Sequence, residues 1–534
     1  MSPAAPDADA VPTRPTVEPM PLSTLTRSVG LGEPDGMGRV QVSGVSHSST
    51  AVRPGDLYVA IAGARTHGAR FSRDASAAGA VAVLTDSVGA ELAADSGLPT
   101  LIADDPRSLL GPVAATVYRH PADQMSVIGV TGTNGKTTVT MLLHAVLTAA
   151  FGSAGLVGTI ETRVGSAVLP SLRTTPEASD LQALLAVMVE QGVRAAAIEV
   201  SSHALALGRV GGLVVDVAGF TNLSQDHLDF HTTMEDYFET KARLFTPGHS
   251  RGGVVVTDDV WGRRLAMRAG VPVQTLATEA RNAEAADAEA GSSTPMPDAD
   301  WLVDDVAPGP AGSSAQLRGP DGRTHEMRVP LPGMVNVSNA ALTVALAAQV
   351  GVDVPEALAA LAGAPMVPGR MERVSGPDGP VVVVDYAHSP DALERALHDL
   401  RAGSPAPLVV VVGAGGDRDV TKRAPMGAAA AQGADVVVVT DDNPRSEDPS
   451  TIRSEVLAGA HRVDAASVHE VPDRATAIRT AIELAGAGTV LVAGKGHEQG
   501  QDVAGVLHPF DDRVEARAAL AAVGSRGEQE RGGL

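Results

Sequence analysis

The chain has no cysteine among its 534 residues. That removes disulfide frameworks, cysteine metal sites and cysteine nucleophiles from consideration. Aromatic residues are nearly as scarce, at 2%, although hydrophobic residues make up 44%. The cores must therefore be built from Ala, Val and Leu, a composition that suits helices packed on parallel sheets. No apolar segment is long and uninterrupted enough to span a membrane, so no membrane insertion is expected. The start, from Met1 to about Pro21, is rich in Pro, Ala and Asp and lacks the basic and apolar regions of a signal peptide. The expected location is the cytoplasm. Positive charge is also short: Lys plus Arg is 41 against 63 Asp plus Glu, a net charge of −22. A field of that sign opposes general nucleic-acid binding, and no nucleic-acid partner is expected. It also opposes anionic small substrates, which must then be held by local Arg, Lys and helix N-termini.

A chain of this length is too long for one core. Residues 1–35 read as a disordered tail. Residues 36–122 alternate short apolar strands, such as 79–84 and 100–103, with Ala-rich helices. A second unit, 123–364, has strands near 195–200, 214–221 and 253–257. A third, 365–534, has strands near 381–385, 408–412, 435–440 and 489–493. This alternation predicts an α/β chain with parallel sheets covered by helices. Residues 276–300 read as a solvated loop.

What is present in strength is a phosphate-binding run. An apolar strand at 127–130 leads into Gly132-Thr133-Asn134-Gly135-Lys136-Thr137-Thr138, and a helical stretch follows. Glycines let backbone N–H groups converge on phosphate oxygens, the lysine reaches the terminal phosphates, and Thr137 can ligate Mg²⁺. The strict P-loop pattern wants glycine where this chain has Val130.

Other polar clusters also follow apolar strands. Glu199, in Glu199-Val200-Ser201-Ser202-His203, is a carboxylate at a buried strand end, well placed to act on Mg²⁺. Asp226-His227-Leu228-Asp229 and His231 crowd one short stretch and suggest a second metal position. Lys241, in Tyr237–Phe245, reads on its own as an amphipathic-helix lysine with a solvated tip. In the third unit come Asp385-Tyr386-Ala387-His388-Ser389-Pro390, then Gly413–Asp419 with Arg418. Asp441–Arg445 and Gly494-Lys495-Gly496-His497-Glu498 complete the set. Open α/β sheets place ligands at such strand ends, and Arg418 and Arg445 there favour carboxylate binding.

In this order, over about 40–515, these motifs resemble the MurE branch of the Mur ligases, which build the tripeptide precursor of bacterial cell walls. The resemblance implies three domains: a UDP-substrate domain at 36–122, a central P-loop ATPase at 123–364 and a Rossmann-like amino-acid domain at 365–534. It implies an ATP-dependent, Mg²⁺-dependent ligase that joins meso-diaminopimelate to UDP-MurNAc-L-Ala-D-Glu through an acyl phosphate. Gly132–Thr138 would bind ATP, with Asn336, Asn339, Arg370 and Asp385 around the nucleotide. Thr137, Glu199, His227 and Lys241, the last as a carbamate, would serve the metals, and Lys136, Glu199, His227 and Lys241 would be catalytic. Thr174, Thr175, Ser201 and Arg209 match positions that hold the UDP-substrate. Arg418, Asp442, Asn443, Pro444, Arg445, Gly494 and Glu498 match those that hold the amino acid, and Asp-Asn-Pro-Arg is the form tied to diaminopimelate. The chain departs from the family at Ser46-His47-Ser48-Ser49, where Asp-Ser-Arg is usual, and at Leu207, a polar position in some relatives. Two alternatives stay open: a folylpolyglutamate-synthase-like ligase, and a nucleotide-binding scaffold with a dead P-loop.

Overall fold

Seven strands run parallel through the central domain, in the spatial order Ala154–Val157, Ala195–Glu199, Ser126–Thr131, Val215–Phe220, Ser250–Val256, Val273–Thr278 and Trp301–Gly309. An antiparallel hairpin closes each edge, Glu161–Val164 with Ala167–Pro170 on one side and Gly312–Arg318 with Thr324–Val329 on the other. The computed structural model describes residues 13–32, 39–171, 173–228, 230–278, 299–309, 312–376, 379–403 and 405–531.

The inner parallel strands are largely apolar because helices cover both faces. On one face the helix Lys136–Phe151 packs with Met334–Gln349 and Val354–Ala362 over Ile128, Val130 and Val254. On the other, Ala178–Glu190 seals Val127, Ile198 and Ala218. Small residues let the helices lie close, as a chain so poor in aromatics requires.

The C-terminal domain repeats this grammar. Its sheet runs Glu372–Arg373, Val381–Asp385, Thr489–Ala493, Leu408–Val412, Val436–Val439, Ser467–Glu470, with only the first strand antiparallel. Valine dominates these strands, as its stiff, branched side chain suits a sheet buried on both faces. The N-terminal domain holds four parallel strands, Gly44–Ser46, Asp56–Val59, Ala82–Thr85 and Thr100–Ile102.

One expectation fails here. Residues 20–28 are not tail: Met20–Pro21 pairs with Gln41–Val42, and the helix Leu22–Ser28 follows. Met20, Leu22 and Leu25 are buried with Val42 and Leu110 in the N-terminal core. The Pro- and Asp-rich composition upstream hid two leucines three residues apart, enough to anchor a short helix. The loop expected at 276–300 falls mostly on 279–298, outside the described residues. Its first residues, 276–278, close the strand Val273–Thr278. Among the described residues, no helix is long and apolar enough to cross a membrane.

Candidate active site

The phosphate loop leaves the middle of the central sheet, between Ser126–Thr131 and the helix Lys136–Phe151. Its shape demands glycine. Gly132 and Gly135 have φ of +143° and +89°, and a Cβ on them would strike the Thr221 hydroxyl and the Asn339 amide. The Lys136 ammonium folds back onto the carbonyls of Gly132 at 3.0 Å and Thr133 at 2.8 Å. Beside it Thr137 donates to Glu199 Oε2 at 3.0 Å. Glu199 is buried at the end of its strand and also accepts from Thr159, through N–H at 2.8 Å and hydroxyl at 3.0 Å.

Lys241 is not a solvated lysine. It is 1% exposed, and its ammonium donates to the same Gly132 carbonyl at 2.7 Å, over the ring of Tyr237. Burial, then the charge of Lys136, lowers its pKa well below the usual lysine value. His227 adopts a left-handed conformation with φ of 54°, its ring 3.5 Å from Asp226. Burial pulls His227 down to about 4, so its imidazole is neutral and able to offer a lone pair. Asp229 lies outside the described residues.

The C-terminal domain closes the phosphate site. Arg370 reaches Thr137 Oγ1 at 3.2 Å, stacks on Tyr386, and keeps a buried Nε with no hydrogen-bond partner. That orphan donor suits an anion. Asp385 accepts from the Met371 N–H at 2.7 Å, and burial raises its pKa. Asn336 and Asn339 bond to each other at 3.2 Å on the facing helix. With Asn134, Gly135, Thr138, Arg370 and Asp385 they line one slot.

A larger cavity of about 650 Å³ opens between the central and C-terminal domains, lined on the C-terminal side by Arg418, Asp442, Asn443, Arg445, Gly494 and Glu498. The Asn443 amide donates to Glu498 at 2.8 Å. Arg445 holds φ of 51° and sends its guanidinium to the Gly416 carbonyl. Its backbone N–H donates to Asp502 in the hairpin Gly500–Val503/Val506–Pro509. Pro444 supplies the turn and does not line the cavity.

The UDP-substrate set is divided. Thr174 and Ser201 line the phosphate cavity. Thr175 does not: it is fully buried, and its hydroxyl bonds to the Glu199 carbonyl at 2.7 Å, bracing the strand end from behind. Its side chain therefore faces the strand end and not the cavity. Arg209 stands apart, 2.9 Å from Glu177. Glu177 also meets Arg107 of the N-terminal domain at 3.3 Å and Arg173 at 2.6 Å. Thr159 carries no signal in the sequence, and Lys495 stands there only inside the Gly494–Glu498 cluster, without a role. Lys495 is fully buried and donates to Asn443 at 2.9 Å and Glu498 at 3.2 Å.

The domain described as "Mur ligase middle domain" fits residues 130–347, "Mur ligase, glutamate ligase domain" fits 369–496, and "Mur ligase family, catalytic domain" fits 41–118. The chain is 51% identical over 514 residues to a UDP-N-acetylmuramoyl-L-alanyl-D-glutamate–2,6-diaminopimelate ligase of Streptomyces coelicolor, covering 95% of this chain and 98% of that one. The chain belongs to the Mur ligase family. A Corynebacterium glutamicum ligase of the same description is 46% identical, over 91% of this Mur ligase and 93% of that relative. A solved structure of a ligase so described superposes with a TM-score of 0.65 at 32% identity, over 93% of this chain and 98% of that one. The three-domain α/β architecture expected from the sequence is the Mur ligase architecture.

Proposed function

We propose that this Mur ligase uses ATP to join meso-2,6-diaminopimelate to UDP-N-acetylmuramoyl-L-alanyl-D-glutamate in peptidoglycan synthesis. One observation carries the reading: the phosphate cavity and the larger C-terminal cavity share a wall of Asp226, His227, Tyr386 and His388. A phosphorylated carboxylate formed on one side therefore faces an amine held on the other.

The adenosine would lie by Asn336, Asn339 and Asp385, with its phosphates on Gly132–Thr138. Lys136 then exchanges its loop carbonyls for phosphate oxygens. Arg370, with its orphan Nε, adds positive charge from the other domain. The γ-carboxylate of the D-glutamate attacks the γ-phosphorus, and the bond to the ADP oxygen breaks, leaving an acyl phosphate. The diaminopimelate amine attacks the acyl carbon, and phosphate departs. Lys136 and Arg370 oppose the repulsion between the two anions, so their contribution is electrostatic positioning.

The donor set suits Mg²⁺. Among the described residues, no group of three or more His, Asp or Glu could hold a metal by itself. Mg²⁺ takes few protein ligands and keeps water and phosphate oxygens, which matches the hard oxygens of Thr137 and Glu199. Thr137, Glu199, His227 and a carbamylated Lys241 would serve two Mg²⁺ ions between them, and these would neutralise phosphate charge. Arg418, Asp442, Asn443, Arg445, Gly494 and Glu498 would form the amino-acid end, with Pro444 shaping the turn that carries Arg445, and Thr174, Ser201 and Arg209 the UDP-substrate side. The test is sustained ADP release over many turnovers: it should require both the UDP-dipeptide and diaminopimelate and vanish in Lys136→Ala. ADP release without the UDP-dipeptide, or undiminished in a folded Lys136→Ala protein, would refute the reading.

A further inference from the structure

His388 has no role in the chemistry above, yet it sits on the wall between the two cavities. Its Nδ1 lies 2.8 Å from the Tyr386 carbonyl oxygen. A carbonyl only accepts, so Nδ1 carries the hydrogen and Nε2 keeps its lone pair. The ring is further fixed against Tyr386, centroid to centroid 4.6 Å. The loop geometry thus presents one basic nitrogen, with a set tautomer, at the boundary between the phosphate and the amino acid.

Resting on the ligase reading, we propose that His388 Nε2 is the proton acceptor of the amide-forming step and returns that proton to the departing phosphate. The neutral amine forms the C–N bond to the acyl carbon and becomes positively charged. His388 takes one N–H proton. The acyl C–O bond breaks, and its electron pair leaves on the phosphate oxygen. The imidazolium then protonates that phosphate. Acyl phosphate dianion plus amine gives amide plus monohydrogen phosphate, so atoms and charge balance with no further reactant. A group reaching only one cavity could not make both transfers.

The surroundings favour the neutral base. Burial lowers the His388 pKa; Asp226 opposes the shift, while Lys422 and Arg370 reinforce it. Tyr386 has its own pKa raised to about 12, so it stays a phenol. His227 and His203 also line the larger cavity, together with the carboxyls of Asp391, Glu394, Asp419, Asp442 and Glu498.

The experiment separates the two half-reactions. Enzyme, ATP and UDP-dipeptide are mixed without amino acid, the acyl phosphate is trapped by borohydride reduction, and amide formation is then timed after adding diaminopimelate. His388→Ala should form acyl phosphate within about threefold of wild type. Its amide step should slow by about 100-fold or more, the scale of a lost general base. Free imidazole should restore part of that rate, which a structural role would not allow. In wild type the amide step should hold its rate at neutral pH and fall only below about 6.5, the ordinary histidine value. An amide step within threefold of wild type in His388→Ala overturns the inference, as does an equal loss in both half-reactions without imidazole rescue. If the variant does not fold, a wild-type amide step unchanged down to pH 4.5 overturns it too. Absence of any trapped acyl phosphate in wild type would instead refute the ligase reading.

Discussion

Lys136 and Lys241 aim their ammonium groups at a single acceptor, the Gly132 carbonyl, at 3.0 Å and 2.7 Å. Two buried cations on one dipole repel each other, and both have lowered pKa values, first through burial. For Lys241 the shift means a larger share of neutral amine at physiological pH, the form that reacts with CO₂. A carbamate there converts the repulsive pair into an attractive one.

Lys241→Ala should therefore lose most ligase activity, and a small carboxylic acid such as formate should restore part of it. The wild-type protein should carry 44 Da of added mass at Lys241, labile to acid. Full activity in Lys241→Ala would reduce the residue to packing.

The loop, Glu199 and the C-terminal clusters were legible because each is a dense polar string at the end of an apolar strand. Lys241 was not legible from its own residues: its spacing fits an amphipathic helix, and only the fold turns it inward. Thr159 bonds to Glu199 and Thr174, and Lys495 to Asn443 as well as the nearby Glu498, so partners remote in sequence decide both roles. The inner parallel strands stood out as apolar runs, whereas Val273–Thr278 and Trp301–Gly309, with polar residues among the apolar ones, did not. The antiparallel edge hairpins did not, since a strand such as Thr324–Val329 is exposed on alternate residues and reads as a polar loop. Thr175 looked equivalent to Thr174 because adjacent residues give no hint of which one faces a cavity.

Glu177 gathers Arg107, Arg173 and Arg209, leaving net positive charge where the N-terminal and central domains meet. Arg209→Ala should raise KM for the UDP-substrate and leave KM for ATP unchanged. Equal changes in both would place Arg209 outside that site.

The same hub gives a pH dependence. Burial pushes the Glu177 carboxyl up, but Arg209, His47, Arg107 and Arg173 together hold it below the usual value. A depressed folded pKa stabilises above the unfolded value of about 4.3 and is lost as pH falls through the lower folded one. The contact between the two domains should loosen below about pH 4, and Glu177→Gln should flatten that acid limb. Proteolysis between the domains across pH 3–6 reads it; identical profiles for both proteins would contradict it.

Arg474 and Asp512 form an ion pair at 2.7 Å with neither side chain exposed. Arg474 also bonds to the Ala493 and Asp441 carbonyls, which precede the Gly494 and Asp442 loops. Removing one partner strands a buried charge, so Arg474→Met should cost about 3–5 kcal/mol. Urea unfolding followed in the C-terminal domain checks this, and a change under about 1 kcal/mol would contradict it.

Amino-acid choice tests the account most directly. Diaminopimelate differs from lysine by a terminal carboxylate, and under the proposed function Arg445, held by the Gly416 carbonyl and the hairpin, would grip it. A site built for that group rejects an analogue lacking it by orders of magnitude. Losing one partner of a buried charge pair costs on the order of 2–5 kcal/mol, so Arg445→Ala should lower kcat/KM for meso-diaminopimelate by about 30-fold or more. The decisive measurement is kcat/KM for meso-diaminopimelate against L-lysine in wild type and in Arg445→Ala. The account predicts strong wild-type preference for diaminopimelate and its collapse in the variant; preference for lysine, or full selectivity kept in Arg445→Ala, would contradict it.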